Sequence, residues 1–296
     1  MLSLEGLTRH YGEVVALEDL GFEVHRGQLH GFVGPNGAGK TTTMRIVIGV
    51  VEPDAGTVLW DGAPVGADTR SDFGYMPEER GLYPKMRVAN QLTYMAQLHG
   101  VAAQPARAAA DAWIERLGLS DRADTRLEEL SLGNQQRIQL GAALVHEPSL
   151  LVLDEPFSGL DPGGVDVLSA VLAERAAQGA AVVFSSHQLE LVERVCDAVS
   201  IINHGRLVAS GGVAELTARH GGQTLEVEVE DAPEGWWRGV PGVDDAGSGE
   251  GTVLLSLADG ADDQRVLAAA AAAGRVRRFG HAKPTLADIF RDAVAP

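Results

Sequence analysis

Gly34-Pro35-Asn36-Gly37-Ala38-Gly39-Lys40-Thr41 decides how this chain is read. The stretch fits the spacing Gly-x-x-x-x-Gly-Lys-[Ser/Thr], with Thr42 next in line. Residues 28–33 before it form a short apolar run suited to a strand. After Thr41, the spacing of Met44, Ile46, Val47 and Ile48 predicts a buried helix ending near Gly49. A strand, a glycine loop and a helix start are the context an anion cradle needs. Glycines let backbone N–H groups converge without side-chain interference. The helix start adds its dipole and unpaired amides. Lys40 is expected to reach the β- and γ-phosphates of a nucleotide, and Thr41 to ligate Mg²⁺. The alternative is a chance glycine-rich turn. Lysine occurs only at 40, 85 and 283, yet one falls where the loop requires it.

A second apolar run, Leu150-Leu151-Val152-Leu153, ends in Asp154-Glu155. A buried parallel strand ending in carboxylates presents them at the carboxyl edge of its sheet, where such sheets bind ligands. Asp154 can then support Mg²⁺, directly or through water. Glu155 can activate a water for in-line attack on the γ-phosphate. Alone, an acid pair after apolar residues could be a strand end meeting solvent; the phosphate loop upstream gives it weight.

Working outward, residues 1–30 alternate, with Leu2, Leu4 and Leu7 and then Leu20, Phe22 and Val24 predicting a half-buried antiparallel sheet. Residues 84–145 read as mostly helical: an unbroken run over 88–99, a second helix opened by Pro105 and stopped by Gly118, and a third after Leu132-Gly133. A strand at 181–184 and a helix at 164–177 continue an alternation that predicts an α/β sheet. Composition shifts at Gly221-Gly222. Beyond it, Leu225, Val227 and Val229 alternate with Glu226, Glu228 and Glu230, residues 252–257 alternate again, and helices are predicted over 263–273 and 286–293. The expected division is therefore 1–221 for the main domain, its helical part at about 84–145, and 222–296 for a small α+β domain.

Composition bounds the function. Hydrophobic residues make up 45% of the 296, enough for a filled core, and aromatics only 5%, so the core rests on aliphatic side chains. A net charge of −17 repels nucleic-acid phosphates and argues against a nucleic-acid partner. With one cysteine, Cys196, no intrachain disulfide can form, and that thiol reads as a small core residue. No apolar run reaches the ~18–20 residues of a membrane span, and the first residues lack a basic, then apolar, signal segment. The chain is expected to be soluble by itself, with any membrane part supplied by another polypeptide.

These motifs in this order resemble the ATP-binding subunits of ABC transporters over about residues 2–212. Tyr11, before Gly12, stands where that family has an aromatic that stacks on adenine, although a packed or exposed tyrosine would look the same. Leu130-Ser131-Leu132-Gly133-Asn134-Gln135-Gln136-Arg137 resembles the signature segment usually read LSGGQ. By resemblance, Ser131, Leu132, Gly133, Asn134 and Gln135 meet the γ-phosphate held by a partner subunit; by local physics, Ser131 also reads as a helix N-cap, and both can hold. Ser158-Gly159-Leu160-Asp161 is similar to the loop that crosses the dimer interface, with Ser158 and Asp161 as its polar members. Ser185-Ser186-His187 is similar to the switch segment, which makes His187 a γ-phosphate partner. Glu78, in Met76-Pro77-Glu78, stands where the family usually has glutamine; a carboxylate there can still ligate Mg²⁺ and adds charge near the γ-phosphate.

The resemblance implies a P-loop ABC ATPase core with antiparallel β and helical subdomains, ATP and Mg²⁺ as cofactors, and catalysis by Glu155, His187 and Glu78. It implies metal ligation by Thr41, Asp154 and Glu78. It also implies that ATP is gripped by Tyr11, Gly34, Pro35, Asn36, Gly37, Ala38, Gly39, Lys40, Thr41 and Thr42. The partners implied are separate transmembrane permease subunits and a second copy or related ATPase, which places the chain on the cytoplasmic face of the membrane. Residues 79–84 and the chain end resemble an export-type subgroup. Two other readings stay open: a soluble cassette ATPase without a transport role, against which the single motif set and the acidity argue, and a nucleotide-dependent regulatory module, against which Glu155 and His187 argue.

Overall fold

The computed structural model describes residues 1–79, 81–220, 224–249, 252–258, 260–282 and 285–294. The predicted boundary at 221–222 and Lys283 fall outside the described residues, as does Arg80. The contacts divide the chain into a unit over Met1–Val213 and a second from Ala214 on.

In the first unit, β1 (Leu2–Tyr11) and β2 (Val14–Val24) form an antiparallel ladder that pairs Leu4 with Phe22 and Leu7 with Leu20. The alternation read from sequence is thus a one-sided sheet: Leu2, Leu4, Leu7, Leu20 and Val24 are buried. Strand β3 (Leu29–Val33) is buried throughout and runs into the glycine loop and α1 (Lys40–Val47). Next come β4 (Ala55–Trp60), the short β5 (Ala63–Pro64), the one-turn α2 (Ala67–Arg70) and β6 (Phe73–Met76). The helical segment holds α3 (Val88–Leu98), α4 (Ala103–Arg116) and α5 (Leu132–Leu144). Helix α4 starts at Ala103 rather than at Pro105, because proline is tolerated in a first turn whose N–H groups have no intrahelical partner. The chain then alternates through β7 (Leu150–Leu153), α6 (Pro162–Ala177), β8 (Ala181–Ser186), α7 (Leu189–Val195), β9 (Ala198–Asn203) and β10 (Arg206–Gly212).

Two sheets result. One runs β2-β1-β4-β5; the other runs β10-β9-β3-β8-β7-β6, parallel at every pairing except β9 with β10. Strand β8 therefore separates the glycine-loop strand β3 from the acid-bearing strand β7. One apolar cluster joins Leu4, Leu20 and Phe22 of the first sheet to Phe32, Met44, Val152 and Val183. Phe22 stacks on Phe32 at a centroid distance of 4.9 Å. Each such buried side chain contributes about 1.5–3 kcal/mol. This packing fixes β3 and α1, and so the loop between them.

The second unit contains most of α8 (Val213–His220), then β11 (Thr224–Glu230), β12 (Val243–Gly249), β13 (Thr252–Leu257), α9 (Asp263–Ala273), β14 (Arg275–His281) and α10 (Leu286–Val294). Its antiparallel sheet runs β12-β13-β11-β14. Leu225, Val227 and Val229 are buried with Trp237, Leu255 and Val266, as the alternation predicted. Glu226 and Glu230 instead pair with Arg278 and Arg277 of β14. The fold class expected from sequence, an α/β core with antiparallel β and helical subdomains plus a small C-terminal α+β region, is the one observed.

Candidate active site

Tight packing positions the glycine loop. A Cβ on Gly34 would lie 2.2 Å from the carbonyl oxygen of Ile202 on β9, closer than any side chain can come. Gly39 has φ +108°, a left-handed conformation that glycine adopts without strain, and a Cβ there would lie 2.6 Å from the Ala16 oxygen. Gly39 is the N-cap of α1 and offers no side-chain acceptor, so the first-turn amides are left for an anion. Lys40, buried to 7% exposure, donates to the Gly34 oxygen at 2.7 Å and the Pro35 oxygen at 3.3 Å. Thr43 Oγ1 donates to the Gly39 oxygen at 2.9 Å and holds the loop onto the helix.

The acid pair is built across three strands. The Asp154 amide donates to the Met76 oxygen at the end of β6 (2.7 Å). Ser185, on the intervening β8, donates its hydroxyl to Asp154 Oδ1 at 2.6 Å and accepts the Glu155 amide at 2.8 Å. Asp154 Oδ2 is buried and accepts no hydrogen bond from the protein. A hard, unpaired oxygen is the donor Mg²⁺ takes, and Thr41 and Glu78 line the same cleft, so the residues fit that ion. Among the described residues no group of three or more His, Cys, Asp or Glu is placed to hold a metal by itself. A phosphate-bound Mg²⁺ needs only one or two protein oxygens and takes the rest from phosphate and water.

Glu155 is held in the left-handed region, at φ +50°. Its Oε2 lies 3.1 Å from His187 Nδ1, and its Oε1 lies 3.8 Å from the Lys40 ammonium. Burial raises the Glu155 carboxyl above the usual glutamate range, against the opposing pull of His187 and Lys40. A carboxylate with raised proton affinity beside a cation is suited to accept a proton from water.

A cleft of about 400 Å³ brings together Tyr11, Asn36, Gly37, Ala38, Gly39, Lys40, Thr41, Thr42, Glu78, Asp154 and Glu155. Gly34 and Pro35 are not in its lining; their carbonyls hold Lys40. Tyr11 is half-exposed at the mouth, with the Arg9 guanidinium 4.9 Å from its ring centre. His187 reaches the site through Glu155 and is 50% exposed. The predicted segment Ser131, Leu132, Gly133, Asn134 and Gln135 does not line the cleft. Ser131 caps α5 by accepting the Asn134 amide at 3.4 Å, Leu132 is exposed, and Gln135 turns inward to the carbonyls of Leu127 and Leu130. Asp161 caps α6 through the Gly164 amide (2.8 Å), and the Ser158 amide donates to the Glu155 oxygen.

Sequence reasoning gave no role to Ser185, Gln136 or Gln139. Gln136 donates to the carbonyls of Glu155 (3.2 Å) and Pro156 (3.0 Å), and Gln139 donates to Pro77 (2.6 Å), next to Glu78. A signal was present: two glutamines three apart on a helix otherwise buried with Ile138 and Leu140 are polar groups in need of partners.

Comparison with known proteins agrees with this geometry. Residues 17–158 match the family model described as ABC transporter, and residues 211–294 match the C-terminal domain of DrrA1-3-like ATP-binding proteins. The chain is 36% identical to the uncharacterized ABC transporter ATP-binding protein YhaQ of Bacillus subtilis (strain 168), over 99% of this chain and 98% of that protein. It is 35% identical to the Nod factor export ATP-binding protein I of Ralstonia nicotianae, over 79% of this chain and 74% of that one. A solved structure of an ATP-binding subunit of an ABC transporter superposes with a TM-score of 0.69 at 31% identity, covering 74% of this chain and 93% of that one. The protein is an ATPase of the cassette class. It belongs to the ABC transporter ATP-binding proteins, a family that binds ATP and hydrolyses it on behalf of a transporter. Among the described residues no helix is long and apolar enough to cross a membrane.

Proposed function

We propose that this subunit drives an exporter, and that it does so by ATP-dependent head-to-tail pairing with a second copy or a related cassette. One observation carries the chemistry: the Glu155 carboxylate stands between the Lys40 ammonium and the His187 imidazole, beside an Asp154 oxygen with no protein partner. ATP enters the cleft with its phosphates at the α1 amides and Lys40, and its base against Tyr11. Thr41 and Asp154, with Glu78, would hold Mg²⁺, which would supply charge neutralisation at the phosphates. Glu155 takes the proton of the attacking water, while His187 orients that carboxylate and reaches the γ-phosphate.

Pairing follows from what the cleft lacks. It is open, and the start of α5, where Ser131 and Leu132 are exposed and Gly133 is half-buried, would offer an anion site of its own. Two copies placed head to tail would each close the other's cleft with that helix start, while the loop from Ser158 to Asp161 crosses between them. Hydrolysis removes the charge that holds the pair together, and the pair opens. The permease subunits would dock on the helical segment. A second cleft of about 340 Å³, lined by Tyr75, Pro77, Leu82, Met95 and Ala142 among others, lies beside the segment that carries Glu78. Docking there would hold the chain on the cytoplasmic face of the membrane. The export direction rests on the relative named for Nod factor export. We assign the ATP chemistry to residues 1–221 and an accessory role to residues 222–296.

The test is Glu155→Gln with MgATP, followed by light scattering. The expected result is a species of twice the 31.2 kDa chain mass that retains ATP. A variant that stays monomeric and hydrolyses ATP at the wild-type rate overturns the scheme.

A further inference from the structure

We infer that Gln136 is a positioning residue for hydrolysis, holding the backbone at Glu155 in its left-handed conformation and so aiming the carboxylate into the cleft. This rests on the reading of Glu155 as the group that activates water.

The reasoning starts from strain. Glu155 is at φ +50°, a conformation that strains a residue with a Cβ and persists only where the surroundings over-determine it. Three groups do so here, the third being the Ser158 amide, which donates to the Glu155 carbonyl oxygen at 3.1 Å. The amide is fixed by Ser185 Oγ, whose hydroxyl is also committed to Asp154. The carbonyl oxygen is fixed by Gln136 Nε2 at 3.2 Å, and the same amide group donates to the next carbonyl, Pro156, at 3.0 Å. One side chain thus spans two successive peptide units directly after the catalytic carboxylate. Gln136 is buried at 6% exposure, so water has little access to replace these bonds. Without them, the Glu155 carbonyl keeps only the turn bond from the Ser158 amide and the Pro156 carbonyl loses its Gln136 donor, so the backbone relaxes towards ordinary φ values and the carboxylate swings away from Lys40 and His187.

The placement has a second consequence. Gln136 lies on α5, whose first turn is the Ser131–Gly133 segment proposed above to meet the partner's nucleotide. A shift of α5 as that segment engages is carried through one rigid helix turn to the carbonyl of Glu155 in the same subunit. The residue would therefore report closure of one site to the carboxylate of the other.

The experiment compares full-length wild type, Gln136→Met and Glu155→Gln. Gln136→Met keeps the length and volume of the side chain and removes both donated hydrogen bonds. Three quantities are measured: MgATP affinity by calorimetry, single-turnover hydrolysis, and the thermal unfolding midpoint. The expected result for Gln136→Met is an affinity within about twofold of wild type and a rate constant lower by about 10- to 100-fold. A purely structural role would lower thermal stability and reduce affinity and rate together. If Gln136→Met does not fold, Gln136→Asn, one methylene shorter with the amide kept, should show a smaller loss confined to the rate constant. A folded Gln136 variant with wild-type single-turnover rate, or with loss in affinity alone, overturns the inference while the Glu155 reading stands. Glu155→Gln at the wild-type rate brings down both.

Discussion

Gly34 and Glu155 show how this site is made residue by residue. Gly34 is there because β9 leaves no room for a side chain, so Gly34→Ala should cost about 2 kcal/mol or more through forced displacement of the Ile202 backbone, lowering the unfolding midpoint by about 4–8 °C. Glu155 carries the opposite cost, one tied to function. Its carboxyl is raised in the folded state by burial, so the fold binds that proton more tightly than the unfolded chain does. Its contribution to stability is present below the ordinary glutamate value and is lost as pH rises through the raised one. Glu155→Gln removes the buried charge and should be more stable than wild type at about pH 8, with the difference shrinking as pH falls towards about 4. Urea denaturation across that range decides the point; a variant less stable than wild type at high pH would contradict it. At this scale the sequence showed which residues carry charge into the cleft, because each lies in a local motif. Gln136 and Ser185 were not legible as supports, because their partners are backbone atoms brought near only by the fold.

Among the elements, the junction between α3 and β6 is also open to test. His99, just past the end of α3, stacks face to face on His146 at 3.6 Å, and both rings contact the segment entering β6, through the carbonyls of Ser71 and Phe73. Burial, aided by His99, lowers the His146 pKa to about 4, with Asp72 opposing and Arg175 adding to the shift. A depressed histidine favours the fold above its ordinary value near 6.5, and that contribution is lost as pH falls towards about 4. His146→Phe keeps a ring in place and takes up no proton. Relative to it, wild type should lose up to about 1.4 kcal/mol per pH unit within that window; parallel stability curves for the two proteins would remove the assignment. Element boundaries were legible where period and punctuation agree, as at Gly118 or across 263–273. Strand β6 escaped notice because Phe73-Gly74-Tyr75-Met76 forms no aliphatic run, unlike β7 of the same length, and β14 because Arg275, Arg277 and Arg278 interrupt its apolar positions. Sheet order was not legible: that β8 lies between the glycine-loop strand and the acid strand is a long-range pairing that no local pattern encodes.

For the molecule as a whole, every residue lining the nucleotide cleft lies between Tyr11 and Glu155, inside the first unit. A chain ending at His220 should therefore bind MgATP within about threefold of the full-length protein, an outcome calorimetry can check; loss of binding would give the second unit a part in the site. The most direct measurement titrates ATP into purified wild type and Lys40→Ala, with and without Mg²⁺. The account predicts binding that Mg²⁺ strengthens, and that loses at least about tenfold when the buried ammonium is removed. Equal affinity in the two proteins, indifferent to Mg²⁺, would contradict it.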